Sequence, residues 1–462
     1  MNISDGELMQ GILESHGYEL ASTPEDADVV LVNTCAIRDH AEQRVLGRVA
    51  QLNGLRNENP DLVIGVTGCM AQRMGDSLLE QAPYVNLVMG PDGYRSLPQA
   101  LAALEGARPT PASESESGAT RAPGAVTAPG PPARRSKRGP QLTVLDLSMD
   151  ENYQGLEQRR SSKIAAWVPI QRGCNHRCTY CIVPYVRGDE KNRDPAEILH
   201  EVAGIAARGV TEVTLLGQTV NSYVSGDVNF ARLLRDVARV PGIRRVRFTS
   251  PHPADVTEEL VEVMAAEPAV CEQLHLPAQA GNNRTLKRML RRYTVETFLE
   301  KVDLVRSAIP DISLSTDIIV AFPGETHEEF EDTLELMRTV RFDDAFTYRY
   351  SPRDGTPATR MPAEWFIDDD EAKARLAKLI EVSRGIQSEI NHGEVGRIEE
   401  VLIEKEARDA GHLLGRTRRN KVVAFPGDSR RIGTYATVAL DATTGATFRG
   451  HEVAAEPERA VS

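Results

Sequence analysis

The sequence has few cysteines, no long apolar run and a deficit of positive charge. Six cysteines in 462 residues are too few for a scaffold held together by disulfides. No run of about 20 apolar residues occurs, so the sequence predicts no membrane-spanning helix. The first ten residues contain neither a basic segment nor an apolar core, so we expect no signal peptide and a cytoplasmic location. With a net charge of −13, any nucleic-acid binding must come from local basic patches.

Three of the cysteines nevertheless lie in one short stretch. Cys174, Cys178 and Cys181 have Cys-x3-Cys-x2-Cys spacing and follow an apolar run at 165–170. Cysteine thiolates are the usual ligands of iron–sulfur clusters, and three of them can hold three irons of a [4Fe–4S] cube. The fourth iron would then be open to a substrate. The alternative is a zinc knuckle in which His176 supplies the fourth ligand.

Two further cysteines follow predicted strands near the N-terminus. Apolar runs at 28–34, 62–68 and 85–90 alternate with helical segments, which predicts a doubly wound βαβ domain. Cys35 and Cys69 come directly after the first two runs, and parallel strands end at the same edge of a sheet. We therefore expect these two thiols to be neighbours, the alternative being two ordinary buried thiols. The chain opens on a predicted helix at 5–16, so either the fold starts with a helix or its first strand is absent.

The rest of the sequence divides by composition and period. Residues 106–141 are rich in Pro, Ala and Ser and predict a disordered linker between a 1–105 domain and a 142–390 domain. In the second domain, a lead-in segment precedes six strand–helix repeats, which predict a partial (βα)6 barrel with the cysteine loop after its first strand. The predicted strands are 165–170, 212–217, 245–250, 271–276, 312–321 and 344–350.

Short alternating runs at 391–455 predict a small antiparallel β-barrel. Positive charge is concentrated in this part, at Arg416, Arg418, Arg419, Lys421, Arg430 and Arg431. These residues would form either an RNA-binding face or a charged, solvated surface.

Several motifs together resemble the methylthiotransferase family of radical S-adenosylmethionine enzymes, in its MiaB-type branch, which modifies tRNA. They are the cysteine loop with its flanks (QRGC at 171–174 and CIVPYVRG at 181–188), LLGQTVNSY at 215–223, SPHP at 250–253, HLPAQAG at 275–281 and DIIVAFPGET at 317–326. The resemblance covers nearly the whole chain apart from the linker. It implies an N-terminal methylthiotransferase domain, a radical barrel and a C-terminal TRAM barrel.

The resemblance also implies an activity. Such an enzyme adds a methylthio group to C2 of N6-isopentenyladenosine at position 37 of tRNA, by means of a 5′-deoxyadenosyl radical. The implied cofactors are two [4Fe–4S] clusters and S-adenosylmethionine. The implied partners are tRNA and an electron donor such as flavodoxin or ferredoxin, with a monomeric chain and no membrane. A sister branch modifies an aspartate of a ribosomal protein, and a catalytically incomplete RNA-binding relative is a further alternative.

Family residues carry over onto matching positions. Cys174, Cys178 and Cys181 would hold the radical-generating cluster, and Cys35 and Cys69 match two of the three ligands of an auxiliary cluster. The third family ligand lies just before a Met-Asn pair, and here Met1-Asn2 opens the sequence. As written, the auxiliary site therefore has two ligands, and we expect the true start to lie upstream.

The resemblance gives no catalytic side chain beyond the cluster ligands. It places Gly217 and Gln218, at the end of the second barrel strand, beside S-adenosylmethionine. Substrate contacts or structural hydrogen bonds are the two interpretations of other polar residues that follow strands, namely Asn221, His252, His275 and Gln279.

Overall fold

A parallel sheet forms the centre of the N-terminal domain. The computed structural model describes residues 1–35, 39–107, 139–148, 151–156, 158–160 and 162–454, so most of the predicted linker lies outside the described residues. The sheet has the order β1 (Val29–Thr34), β2 (Val63–Gly68), β3 (Leu87–Met89) and β4 (Leu142–Val144). The helices are α1 (Asn2–Ser15), α2 (Asp39–Asn53), α3 (Cys69–Met74), α4 (Asp76–Gln81) and α5 (Leu97–Gly106).

Helices pack on both faces of this sheet, as a doubly wound domain requires. Leu8 of α1 and Leu101 of α5 share one core cluster with Val63. Its neighbour Ile64 belongs to a second cluster, with Val49 of α2. Successive residues of a strand point to opposite faces, so β2 is buried on both sides and reads as a continuous apolar run. The predicted βαβ domain and its opening helix are therefore confirmed.

The fourth strand was not predicted. Leu142–Val144 follows the linker, in a segment that the sequence assigned to the lead-in of the barrel domain, yet it pairs in parallel with Leu87–Met89. Three residues are too few to show a strand period. Their conformation depends on the unpaired edge of β3, 55 positions away in sequence, which a local pattern does not reveal. The predicted boundary at residue 142 therefore assigns β4 to the second domain, although β4 pairs within the sheet of the first domain.

Parallel strands form the predicted partial barrel of the second domain. The strands are β5 (Ala165–Pro169), β8 (Glu212–Leu216), β11 (Arg245–Phe248), β12 (Gln273–His275), β13 (Ser313–Val320) and β14 (Asp344–Arg349). β5, β8 and β11 form one ladder, and β12, β13 and β14 form another. A parallel bridge from Val246 to Val270 joins the two ladders into one arc.

Helices follow these strands as the sequence predicted. They are α7 (Pro195–Ala207), α8 (Phe230–Ala238), α9 (Glu258–Ala266), α10 (Asn283–Arg288), α11 (Val295–Ala308), α12 (His327–Val340) and α13 (Asp369–Gly393). The additional short elements are β6 (Gln171–Arg172), α6 (Val183–Arg187), β7 (Lys191–Asn192), β9 (Val224–Ser225) and β10 (Val228–Asn229). Within the described residues, every helix is too short or too polar to span a bilayer.

The C-terminal part is a closed five-stranded barrel, as predicted. Its strands are β15 (Ile398–Glu406), β16 (His412–Thr417), β17 (Val422–Pro426), β18 (Tyr435–Thr443) and β19 (Thr447–Glu452). This barrel docks under the N-terminal ends of the parallel strands. Arg245 at the start of β11 donates to the carbonyl oxygens of Glu400 and Arg416. The cysteine loop follows the C-terminal end of β5, so it lies at the opposite end of the parallel barrel.

The basic residues of the small barrel do not form a bare cationic face. Arg419 and Lys421 are buried, and Arg418 is partly buried. Arg418 pairs with Glu272 at 2.8 Å, Arg419 pairs with Glu394 at 2.7 Å, and Lys421 donates to Asp343 at 2.6 Å. Three others have carboxylate partners nearer the surface, in the pairs Arg416–Glu404, Arg430–Asp428 and Arg431–Glu452. Both sequence interpretations, an RNA-binding face or a solvated surface, therefore miss the internal role of Arg418, Arg419 and Lys421.

Candidate metal centre

The cysteine loop is carried by a short antiparallel ribbon at the end of β5. β6 and β7 pair with each other, and the connection between them contains Cys174, Cys178 and Cys181. Gly173 opens the loop with φ of 71°, and a Cβ atom there would lie 2.0 Å from the carbonyl oxygen of Asp189. Only glycine fits this approach of two backbone segments. The Cys174 N–H then donates to the Gly188 carbonyl oxygen at 3.2 Å, which closes the loop.

The three thiols are held in an environment poor in water. Burial raises the pKa of Cys174, and it raises the pKa of Cys181 to about 12, with neighbouring Cys178 adding to the second rise. The Cys174 Sγ lies 3.2 Å from Thr219 Oγ1, and the Cys178 Sγ accepts a hydrogen bond from Arg291 Nη1 at 3.4 Å. A metal must displace the thiol protons, so the raised pKa values of Cys174 and Cys181 make these two side chains unreactive as free thiols and suited to a strongly binding cation.

The spacing of the sulfur atoms bears on which metal fits. Tetrahedral zinc at about 2.3 Å from each thiolate brings sulfur atoms to within about 3.8 Å of one another. Among the described residues, the three cysteine sulfurs do not all lie within 4.8 Å of one another, with or without His176. A cube with a separate iron for each thiolate needs the wider spacing. The residues therefore fit an iron–sulfur cluster better than the zinc knuckle.

His176 has partners of its own. Its Nε2 lies 3.3 Å from Asp255 Oδ2, and its ring stacks on that of His252 at 3.9 Å between centroids. His252 Nδ1 accepts the N–H of Ala254 at 3.3 Å. Burial, with Arg291 and His176 nearby, lowers the pKa of His252 to about 2. The His252 ring is neutral, stacks on the His176 ring and is fixed through Nδ1. This arrangement favours a structural role for the two histidines, which hold the cysteine loop against the end of β11, over a role of His176 as a metal ligand.

Gly217 and Gln218 follow strand β8, next to the cysteine loop. A Cβ atom at Gly217 would lie 2.8 Å from Gln171 Oε1 and 2.9 Å from Val220 Cα, so the surrounding protein itself requires glycine. Gln171 Oε1 in turn accepts the Thr219 N–H at 3.0 Å, which holds Thr219 beside the cysteine loop. Gln218 Oε1 is buried and has no partner among the described residues. It is free to accept a hydrogen bond from a bound molecule.

Two other strand ends offer similar free atoms. His252 Nε2 and Gln279 Oε1 are buried and lack partners in the described part of the chain. The backbone of Gln279 has φ of 68°, and the residues that end the strands on either side, Ser250 and Ala321, are also left-handed. Non-glycine residues in this region are strained and are typical of functional sites. The structure therefore brings Gln218, His252 and Gln279 to one edge of the barrel.

The remaining candidates have structural partners. Asn221 donates to the carbonyl oxygen of His252 at 2.9 Å and accepts the His252 N–H at 2.7 Å. This pair of bonds braces two strand ends, so the structural interpretation of Asn221 is the better one. His275 Nδ1 lies 3.0 Å from Ser315 Oγ, and its Nε2 lies 3.4 Å from Asp317 Oδ2.

The second cysteine pair lies at the edge of the N-terminal sheet. Thr34 pairs with Gly68 in the parallel ladder of β1 and β2, so Cys35 and Cys69 occupy adjacent positions just beyond it, as the sequence predicted. The α-amino group of Met1 interacts electrostatically with both cysteines, and burial lowers its pKa.

The two cysteine sites meet across the interface between the domains. Arg187, six residues after Cys181, donates from Nε to the Cys69 Sγ at 3.1 Å and from Nη2 to Asp5 at 2.5 Å. Cys69 also packs against Ile182 and Val186, in and before helix α6. The contact of Arg187 does not follow from the sequence, although Arg187 belongs to the CIVPYVRG motif, because it joins residues 118 positions apart.

A buried carboxylate holds the ribbon beneath the cysteine loop. Asp92 of the N-terminal domain contacts Arg172 Nη2 at 2.5 Å and Lys191 Nζ at 2.8 Å. These two cations are the ends of β6 and β7, and all three side chains are almost completely excluded from solvent. Tyr153 also covers the Arg172 guanidinium, 3.5 Å from its ring centroid. The N-terminal domain thus fixes the position of the β6–β7 ribbon that carries the cysteine loop.

Comparisons with known proteins agree with this architecture. The Radical SAM superfamily matches residues 168–337, the uncharacterized protein family UPF0004 matches residues 1–90, and the TRAM domain matches residues 393–452. Among solved structures, the radical S-adenosylmethionine methyltransferase TsrM from Kitasatospora setae is 17% identical with a TM-score of 0.53. That match covers 78% of this chain and 74% of the other, and it shows likeness of fold alone.

Curated relatives match over almost the full length. Proteins named tRNA-2-methylthio-N(6)-dimethylallyladenosine synthase include one from Thermoanaerobacter sp. (strain X514), which is 44% identical over 98% of this chain and 90% of its own length. Another, from Carboxydothermus hydrogenoformans, is 41% identical over 97% of this chain and 95% of its own length. This chain therefore belongs to the family of tRNA-2-methylthio-N(6)-dimethylallyladenosine synthases, within the radical S-adenosylmethionine superfamily.

Proposed function

We propose that the chain adds a methylthio group to C2 of N6-isopentenyladenosine at position 37 of tRNA. The observation that carries the proposal is the hydrogen bond from Arg187 to Cys69, because it joins the two cysteine sites. Replacing a hydrogen on an aromatic carbon by a sulfur group needs a hydrogen-abstracting radical and a sulfur donor at the same atom. Two adjacent sites on neighbouring domains meet that need.

Each site has residues for one cofactor. Cys174, Cys178 and Cys181 would hold a [4Fe–4S] cluster with an iron open to S-adenosylmethionine, and Cys35 and Cys69 would contribute to an auxiliary cluster. When bound, these groups supply the 5′-deoxyadenosyl radical and the methylthio group that replaces the C2 hydrogen.

The residues around the cysteine loop prepare the site for these groups. Thr219 Oγ1 contacts the Cys174 sulfur, and Arg291 places a positive charge beside the Cys178 sulfur. The unpartnered Gln218 Oε1 can accept a hydrogen bond from the ammonium or a ribose hydroxyl of S-adenosylmethionine. Buried surroundings limit the access of solvent and its solutes, so that a radical formed there would react with the bound substrate.

The proposal includes the setting of the enzyme. We place it in the cytoplasm as a monomer that binds the anticodon loop of tRNA, with the TRAM barrel contributing to RNA binding. A small electron-carrier protein supplies the reducing electron.

Cysteine variants test the assignment of the two sites. After anaerobic reconstitution with iron and sulfide, Cys174→Ala should lose iron and stop 5′-deoxyadenosine formation. Cys69→Ala should keep 5′-deoxyadenosine formation and lose only methylthiolation of tRNA. Cys271→Ala is the matched control, because Cys271 is buried at the start of the β12 region, away from both sites, and should retain both activities.

Mass spectrometry of tRNA nucleosides from a deletion strain tests the substrate. We expect 2-methylthio-adenosines to disappear and to return with the wild-type gene. Unchanged nucleosides together with loss of a methylthio-aspartate would assign the chain to the ribosomal-protein branch. A wild-type chain that carries its cluster but cleaves no S-adenosylmethionine would identify it as a catalytically incomplete relative.

A further inference from the structure

A basic groove borders the cysteine loop. It encloses about 830 Å³, and its charged lining residues are Arg177, Lys287, Arg291, Arg292, Lys301 and Glu300. Five cations face one carboxylate in a chain whose net charge is −13. Because the surrounding protein is acidic, this concentration of positive charge marks a site for an anionic partner.

Most of these cations are not neutralised by the protein. Arg177 pairs with Asp189 at 2.6 Å, but the other four have no carboxylate within ion-pair distance among the described residues. The six basic residues of the C-terminal barrel named above, by contrast, all have such partners. The groove therefore has more unpaired positive charge than the barrel from which the sequence predicted RNA binding.

The groove reaches a cysteine of the loop directly. Arg291 lies in its lining and donates to the Cys178 Sγ at 3.4 Å. The segment that leads to Arg291 is tied to the loop, because Thr179 donates to the carbonyl oxygens of Arg288 and Met289 at 2.9 and 3.0 Å. The later residues of the same loop contact the N-terminal domain through Arg187. A partner in the groove would therefore lie beside Cys178, and the second cysteine site would remain open to substrate.

We propose that this groove is the docking site for a flavodoxin, a small acidic protein that carries FMN. The proposal rests on the proposed function, because reductive cleavage of S-adenosylmethionine consumes one electron. The anionic FMN hydroquinone would be oxidised to the neutral semiquinone, and a cluster held by Cys174, Cys178 and Cys181 would gain that electron. No proton moves in this step, so the charge transferred is one electron alone.

The centre of the groove favours this partner over RNA. Leu290 is 54% exposed and lies in the lining with Ala254 and Tyr293, so an apolar spot is surrounded by cations. Its backbone is left-handed, with φ of 55°, an unusual conformation for leucine that turns the chain at this point. An exposed apolar flavin edge surrounded by carboxylates complements such a surface, whereas a phosphate chain matches only the cations. All lining residues also come from the parallel-barrel domain, whereas the base must reach the N-terminal domain.

Charge reversal tests the docking site by a binding measurement. The groove variant is Lys287→Glu/Arg292→Glu/Lys301→Glu, which leaves Arg291 in place beside Cys178. The control is Arg338→Glu/Lys373→Glu/Lys378→Glu, which changes the net charge equally at exposed positions of α12 and α13. A purified bacterial flavodoxin is titrated against the full, cluster-free chain. We expect the groove variant to raise Kd roughly tenfold or more at 50 mM salt, with a smaller effect at 500 mM.

The control variant should change this Kd less than twofold, and Leu290→Ser should raise it severalfold without reversing charge. Equal weakening by the groove and control variants would show a non-specific charge effect and overturn the proposal. So would unchanged flavodoxin binding combined with weaker tRNA binding by the groove variant, since the groove would then serve RNA. Tight binding of a [2Fe–2S] ferredoxin through the same residues, with no flavodoxin affinity, would overturn the choice of partner.

Electron delivery separates this proposal from the proposed function. With reduced flavodoxin, the groove variant should form 5′-deoxyadenosine more slowly than the control; with dithionite, the two should be equal. Failure of the wild-type chain even with dithionite would refute the radical function of the cysteine loop. Flavodoxin binding by the cluster-free chain would still be measurable in that case.

Discussion

Replacing Asp92 with asparagine should loosen the attachment of the cysteine loop to the N-terminal domain. The Asp92 carboxylate is shared by Arg172 at 2.5 Å and Lys191 at 2.8 Å, and the side chains of Asp92 and Arg172 are 0% and 1% exposed. Asparagine keeps the shape of the side chain but not its charge. Two buried cations would then lose their common anion.

The expected loss follows from what remains around those cations. Removing one partner of a buried ion pair costs about 3–5 kcal/mol, since the other charge stays buried without compensation. Here Arg172 keeps the carbonyl oxygen of Glu151 and the ring of Tyr153, and Lys191 keeps the carbonyl oxygen of Ser148. These contacts favour the lower end, about 3 kcal/mol. A second change, Lys191→Met, should recover part of the loss because it removes one of the unpaired cations.

Urea denaturation of the cluster-free chain, followed by circular dichroism, measures this effect. Asp92→Asn should lower the unfolding midpoint and, after reconstitution, reduce the iron bound per chain. Glu335→Gln removes an exposed pair with Arg338 and serves as the control, with no measurable change expected. The reasoning is refuted if Asp92→Asn and Glu335→Gln have the same midpoint, or if the double variant is less stable than Asp92→Asn.

Three further predictions concern the loop and its surroundings. Gly173→Ala should abolish iron binding because its Cβ would meet a backbone carbonyl, whereas Gly155→Ala, with the same φ of 71° but open space, should retain it at a cost of about 1 kcal/mol. In the cluster-free chain at pH 8, Cys181 should react with iodoacetamide far more slowly than a free thiol, because its pKa is about 12; rapid modification seen by mass spectrometry would contradict this. His252 has a pKa of about 2 when folded and about 6.5 when unfolded, so the unfolded chain binds a proton first as pH falls. Its contribution to stability should be full above pH 6.5 and fall by up to about 1.4 kcal/mol per pH unit below it, and denaturation of His252→Gln should show a shallower pH dependence.

The sequence predicts those parts of the fold that depend on local pattern. Parallel strands such as Ala165–Pro169 read as apolar runs, and the strands and helices of the parallel barrel lie close to their predicted positions. The strand Leu142–Val144 was not predicted, because its conformation depends on pairing with a strand that is distant in sequence. The burial of Arg419 was not predicted for a related reason. Its charge suggests a surface position, but Glu394 and Glu399 bury it, and only the folded chain brings these three residues together.

The candidate site also has parts that the sequence predicts and parts that depend on the fold. The sequence predicts the identity of the ligands, because coordination chemistry depends on residue type and spacing. Both are visible in the sequence for Cys174, Cys178 and Cys181. The charges around the ligands do not follow, because Arg291 reaches Cys178 across 113 positions and Arg187 reaches Cys69 across 118. Arg187 has Asp5 as a carboxylate partner, but Arg291 has none among the described residues. The positive charge of Arg291 therefore has no carboxylate beside it, so it would favour an anionic group held by the cysteines.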